Sequence, residues 1–230
     1  MKRLLPATLV ALLTTACIFS SSPSPTPAPD CPTAAPTANG AQEALTDVDR
    51  AVVTTNKGAF TMTLDPSSAP IATANFVLLA RCGFYDRISF HRVIAGFVAQ
   101  AGDPQTKGNT GDFEGLGAGD PGYRFEVEFP PQDLRYATYD VAMANGVQFD
   151  RATLEVTGNT ASTGSQFFIA LAELPLPPFY SIIGRVTEGT DVVDAIGAVP
   201  VNGQRGLPLD PVIIESIAIG AAIASPSPGT

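Results

Sequence analysis

Phe90–Asp103, FHRVIAGFVAQAGD, is the stretch on which the reading of this chain turns. Its apolar residues form two short strand-like runs, Phe90–Ile94 and Gly96–Ala101, around a bend that Gly96 permits. One arginine, Arg92, stands among aromatic and aliphatic neighbours. Gln100 follows in the same stretch, and Gly164–Ile169, GSQFFI, supplies Gln166. Neither segment contains a nucleophile–base pair or a cluster of metal ligands. Such a set suits chemistry that needs no proton transfer and no covalent intermediate.

Working outward, Ala51–Thr55 and Ala59–Leu64 flank Asn56-Lys57-Gly58, a hairpin signal with Phe60, Met62 and Leu64 on one face. A helix is predicted next. Ser67 or Ser68 can cap it, Pro70 suits its first turn and Gly83 stops it; Ile71, Asn75, Leu78, Leu79 and Cys82 share a face. Gly102–Gly122 holds seven glycines and two prolines and reads as loop. Arg124–Phe129, Val141–Ala144, Gln166–Leu171, Ser181–Val186 and Pro211–Ile219 read as strands. Thr190 is the expected cap of a short helix ending at Gly197. About eight short strands and two helices imply a mainly β fold, a barrel or a sandwich.

The chain of 230 residues is long enough for one domain with a core plus appendages. Its net charge is −9, with no visible basic patch, so nucleic acid is not an expected partner. The start, MKRLLPATLVALLTTAC, reads as an export signal over residues 1–16: Lys2 and Arg3, a short apolar run, then small residues before Cys17. It resembles a bacterial lipoprotein leader, with Cys17 as the lipidated residue, although Thr14 replaces the usual leucine; plain secretion is the alternative. Residues 17–47, rich in Ser, Pro, Thr and Ala, read as a tether, residues 48–221 as the domain and 222–230 as a tail. Export permits a disulfide. Cys31 and Cys82 either form one bridge that ties down the tether, or remain free thiols, Cys82 then being a small buried apolar residue near a helix end.

The usual catalytic sets fail one by one. His91 is the single histidine. The three cysteines have no zinc-ligand spacing. No GxSxG elbow accompanies a serine, and neither GxxxxGK[ST] nor a strand–GxGxxG–helix occurs. No metal or cofactor is therefore expected, and His91 reads as a packed, hydrogen-bonded structural residue. Arg92 is either an edge-strand arginine facing water or a fixed donor fork beside an apolar pocket.

The long motifs favour the second. FHRVIAGFVAQAGD, AMAN (Ala142–Asn145) and GSQFFI, followed by segments such as IIGRVTEGTDVVDAI and PVIIESIAI in the same order, resemble the cyclophilin family of peptidyl-prolyl isomerases over about Asp47–Ile219. The resemblance implies a closed eight-stranded antiparallel barrel capped by two helices. It also implies isomerisation of the bond before proline, with proline-containing polypeptides as partners; together with the leader, the expectation is a monomeric enzyme outside the cytoplasm that assists folding of exported proteins. Arg92 would be the catalytic donor. Phe97, Val98, Phe168 and Leu176 would line the proline pocket, and Gln100 would bind the substrate backbone and orient Arg92. Asn145 would pair with the substrate main chain. Ala144, Gly108 and Gln166 would shape a neighbouring subsite, and Tyr180 would contact the prolyl ring or carbonyl. The chain departs from the family pattern at Ala95 and Val98, and it lacks the family's Trp, where Leu174–Tyr180 stands instead. It also carries an insertion, Gly146–Thr163, expected as a small hairpin with Leu154 and Val156 alternating with Glu155 and Thr157. These departures leave a rival reading, a binding module that holds proline segments without turnover.

Overall fold

The protein is described here by a computed structural model covering residues 30–108 and 116–220. The leader, Cys17, the first part of the tether and the tail 222–230 lie outside the described residues.

Eight strands form one antiparallel sheet: β1 (Arg50–Thr55), β2 (Gly58–Leu64), β3 (Arg92–Ile94), β4 (Val98–Ala101), β5 (Asp140–Asn145), β6 (Ser162–Ala170), β7 (Ile182–Glu188) and β10 (Ile214–Gly220). Their order is β10-β1-β2-β7-β5-β6-β4-β3. The two edges meet just before β3 and β10, where Phe90 N–H donates to Val212 C=O and Ile214 N–H to Ile88 C=O, both at 2.8 Å. The sheet thus closes into the expected barrel, which removes its free edges. Helices α2 (Pro70–Arg81) and α3 (Thr190–Gly197) cap it, packing on β6, β7 and β10 and on β2, β3 and β4 respectively. The remaining strands, β8 (Val201–Asn202) and β9 (Leu207–Pro208), pair in a small ladder of their own.

Strand alternation fills the barrel. Phe60, Met62 and Leu64 from β2, Ala51 and Val53 from β1, Met143 from β5, and Phe167 and Ile169 from β6 all point inward and are buried. Phe76 of α2 closes the barrel against Tyr85 and Phe167, the three rings lying 5.3–5.7 Å apart. The Tyr85 hydroxyl donates to Ser165 C=O at 3.0 Å, so this buried phenol is satisfied.

Helix α2 begins where expected but is capped differently. Neither Ser67 nor Ser68 caps it, and Ala69 at the N-cap has no side chain able to do so. Glu128, far along the chain, accepts from Ile71 N–H at 3.1 Å and Ala72 N–H at 2.8 Å. A carboxylate there satisfies orphan amides and complements the helix dipole. This explains a second difference. Arg124–Phe129, expected as a strand, forms only the single bridge Glu126–Ala161 and places Glu128 at the helix. Thr190 is likewise not a cap. Gly189 holds that position with φ +71°, and a Cβ there would lie 2.5 Å from Ala59 C=O, so only glycine fits.

The end of the expected tether is folded. Helix α1 (Ala38–Ala44) docks Ala41 and Ala44 onto Ala74 of α2 among Leu45, Ile71 and Leu78. Arg81 donates to Ala44 C=O at 3.0 Å, and a Cys31–Cys82 disulfide fastens the segment to the C-cap of α2. Seven residues are too few for a helix to stand alone in water, so α1 exists by docking.

Candidate active site

The site lies on the outer face of the barrel, over β3, β4, β6 and β5. Cross-strand register sets Arg92 opposite Gln100, Gln100 opposite Phe168, and Phe168 opposite Ala142. The next row is Ile94–Val98–Ala170. Because side chains alternate along a strand, these residues share the face opposite Phe167 and Ile169. A second buried cluster forms on this face from Val98, Tyr136, Ala142, Phe168, Ala170 and Leu174, with Phe97, Leu176 and Tyr180 packed at its margin.

At that margin is a cleft of about 200 Å³ lined by Arg92, Phe97, Val98, Gln100, Ala144, Asn145, Phe168, Leu176 and Tyr180. Every one of these was named from sequence. Gly108 and Gln166, expected beside them, are not in the lining. Gly108 sits beyond the turn that follows β4, its N–H on Arg87 C=O at 3.4 Å. Gln166 is fully buried behind Gln100.

Arg92 is half-buried and lies over the Phe97 ring, its guanidinium carbon 5.5 Å from the ring centroid. Burial pulls its pKa down and the neighbouring Tyr180 pushes it up; it remains a cation. Gln166 Nε2 donates to Gly117 C=O at 3.0 Å and Gly119 C=O at 2.8 Å. Carbonyls only accept, so Gln166 Oε1 faces Gln100, whose Nε2 donates to it at 3.0 Å. That relay fixes the Gln100 amide and leaves its oxygen as the acceptor presented next to Arg92. Gln166 therefore acts by holding Gln100.

Tyr180 stands edge-on to Phe168, centroids 5.3 Å apart. Its hydroxyl pKa is raised by burial and partly offset by Arg92. Its backbone is clamped by Tyr136, whose hydroxyl accepts from Tyr180 N–H at 2.9 Å and donates to Tyr180 C=O at 3.1 Å. Sequence reading missed Tyr136, since a single tyrosine outside any motif gives no signal. Asn145 donates through Nδ2 to Phe179 C=O at 2.7 Å and accepts Val147 N–H at 3.0 Å, so its side chain is used by the fold.

His91 is buried, but neither ring nitrogen has a hydrogen-bond partner among the described residues, contrary to the expected bonded histidine. Burial lowers its pKa to about 4, helped by Arg92 and opposed by Asp103, so the ring is neutral near pH 7. The insertion does form a small hairpin: Asp150 N–H donates to Glu155 C=O at 2.8 Å and Thr157 N–H to Gln148 C=O at 2.9 Å. Leu154 lies in its turn with φ +59°, not on a strand as expected. The hairpin leans on the site through Phe149, whose ring is 4.8 Å from that of Phe179, the residue before Tyr180.

Known proteins agree with this architecture. The family described as cyclophilin type peptidyl-prolyl cis-trans isomerase matches residues 50–219. A peptidyl-prolyl cis-trans isomerase of Helicobacter pylori is 35% identical over 158 residues, covering 67% of this chain and 84% of that protein. Peptidyl-prolyl cis-trans isomerase B of Streptomyces anulatus is 35% identical over 187 residues, covering 74% and 95%. A crystal structure of a Cryptosporidium parvum cyclophilin type peptidyl-prolyl cis-trans isomerase superposes with a TM-score of 0.59 at 30% identity over 76% of this chain and 99% of that one. A second structure of that protein, in the presence of the dipeptide Ala-Pro, gives 0.57 at 29% identity over 75% and 99%. The barrel, the ordered motifs and these matches together place the chain in the cyclophilin-type peptidyl-prolyl cis-trans isomerase family.

Proposed function

We propose that this isomerase acts on exported polypeptides outside the cytoplasm, held to the membrane by a lipid on Cys17, and that Arg92 is its catalytic donor. The observation that carries the mechanism is the composition of the cleft. It has one half-buried guanidinium above an apolar floor of Phe97, Val98, Phe168 and Leu176, and no carboxylate, thiol or imidazole among its lining residues.

Amide resonance sets the barrier to rotation at ~18–20 kcal/mol. Twisting the bond localises the lone pair on the prolyl nitrogen, and a donor aimed at that nitrogen is bound more tightly in the twisted state than in the planar one. Arg92 supplies that donor, with Gln100 positioning the substrate backbone. The apolar floor holds the prolyl ring and excludes water, which strengthens the guanidinium contact. Each ~1.4 kcal/mol removed from the barrier gives about a tenfold rate gain. No proton moves, so kcat/KM is expected to stay flat from about pH 6 to 9. A bell-shaped profile centred in that range contradicts the mechanism.

Placement outside the cytoplasm is supported by the leader sequence and by the Cys31–Cys82 disulfide, a bond that persists in oxidising compartments. The match to a protein solved in the presence of Ala-Pro supports a small residue before proline as substrate. Metabolic labelling with a fatty acid and cell fractionation test the anchor. Wild type is expected to carry label and sediment with membranes, and Cys17→Ser to lose both. An unlabelled wild-type protein in the soluble fraction overturns it.

A further inference from the structure

Across the Arg92–Gln100 pair from the proline cleft lies a second cavity of about 200 Å³, whose lining includes His91, Arg92, Gln100, Leu116, Arg205 and Leu207. Arg205 is exposed, in the turn between β8 and β9. That turn is fastened to β3. Val93 N–H donates to Gly206 C=O at 2.6 Å, and a Cβ on Gly206, whose φ is +75°, would come within 2.3 Å of Val93 C=O. The neighbour of Arg205 is therefore pressed against the strand that carries Arg92.

Neither arginine makes a hydrogen bond or an ion pair among the described residues. His91, on the same wall, is neutral near pH 7. The carboxylate of Asp103, near His91, is occupied by Gln105 N–H at 2.8 Å and Gly117 N–H at 2.6 Å. In a chain of net charge −9, two guanidiniums without an acidic partner among the described residues face one cavity, and its described lining holds no carboxylate. A forked donor of this kind matches a carboxylate.

We propose that this cavity is a subsite for an acidic side chain of the substrate polypeptide, on the flank of the proline away from Ala144 and Asn145, with Arg205 as its cationic contact. This rests on the reading that proline occupies the cleft beside Arg92. One chain then spans both cavities, with Arg92 and Gln100 as the wall between them. The attraction falls with salt, because the contact is at the surface.

The test uses paired Xaa-Pro peptides that differ only in Glu or Gln at one of the three positions on either side of the dipeptide, and reads the ratio of kcat/KM for Glu over Gln. In wild type that ratio is expected to be about 3–10 at a position on one flank only, to approach one at high salt, and to be near one in Arg205→Gln at any salt. Arg205→Lys is expected to keep part of it. Near-ultraviolet circular dichroism checks that the variants fold. A ratio near one in wild type at every position, or an equal ratio in wild type and Arg205→Gln, overturns the subsite. Turnover of the Gln peptides by wild type is a separate readout, and its absence would count against the isomerase reading instead.

Discussion

Strand β6 has two faces that share a backbone and do opposite work. Ser165, Phe167 and Ile169 point into the barrel, where the chain's own side chains fill the space. Gln166, Phe168 and Ala170 point outward under a second cluster that stops short of closing, leaving the cleft beside Arg92. The inner face is a solvent for itself; the outer face is left for a substrate to complete. A slip of one residue in register would exchange the two faces, so the barrel that buries Phe167 is also what aims Phe168 and Gln100 at the site.

The sharpest way to break this division is to truncate each face in turn. Phe167→Ala is expected to cost about 3–5 kcal/mol, read as a fall in the urea midpoint. Phe168→Ala should cost less stability yet lower kcat/KM more, since it removes the floor of the cleft; equal losses of activity at equal stability would erase the distinction. Next in size is the tie outside the barrel. Opening the Cys31–Cys82 loop, 51 residues apart, is expected to cost about 2–4 kcal/mol while the isomerisation rate of the folded enzyme stays unchanged, because α1 and the bridge are remote from the cleft.

His91 offers a comparable but pH-dependent effect. Its folded pKa of about 4 lies below the ordinary value of 6.5, so the unfolded chain binds the extra proton first. Stability from this residue is intact above about pH 6.5 and is lost as pH falls toward 4, by roughly 3.5 kcal/mol at most, given ~1.4 kcal/mol per unit. Unfolding free energies of wild type and His91→Phe between those limits check this; parallel curves would contradict it. The smallest expected effect is Glu128→Gln, about 1 kcal/mol, from a weakened cap on α2 with the cleft unchanged.

What could be read in the sequence tracks how local its cause is. Arg92, Gln100 and Phe168 sit in two motifs whose family resemblance implies them as site residues, and the structure brings them together in one cross-strand row. Long-range partners left no such mark. Glu128 caps a helix 56 residues earlier, and nothing around Ala69 announces it. Tyr136 clamps Tyr180 across 44 residues. Helix α1 is composed like a linker and becomes a helix only where α2 offers Ala74 a partner.

The central claim is that a single donor on the outer face performs the reaction. The direct measurement is the catalysed rate of prolyl isomerisation for wild type and Arg92→Ala, both checked for equal thermal stability. A charged hydrogen bond of about 1.5–3 kcal/mol in the twisted state corresponds to a loss of roughly 10- to 100-fold in kcat/KM. Rates that agree within a factor of two, with the fold intact, would contradict the account.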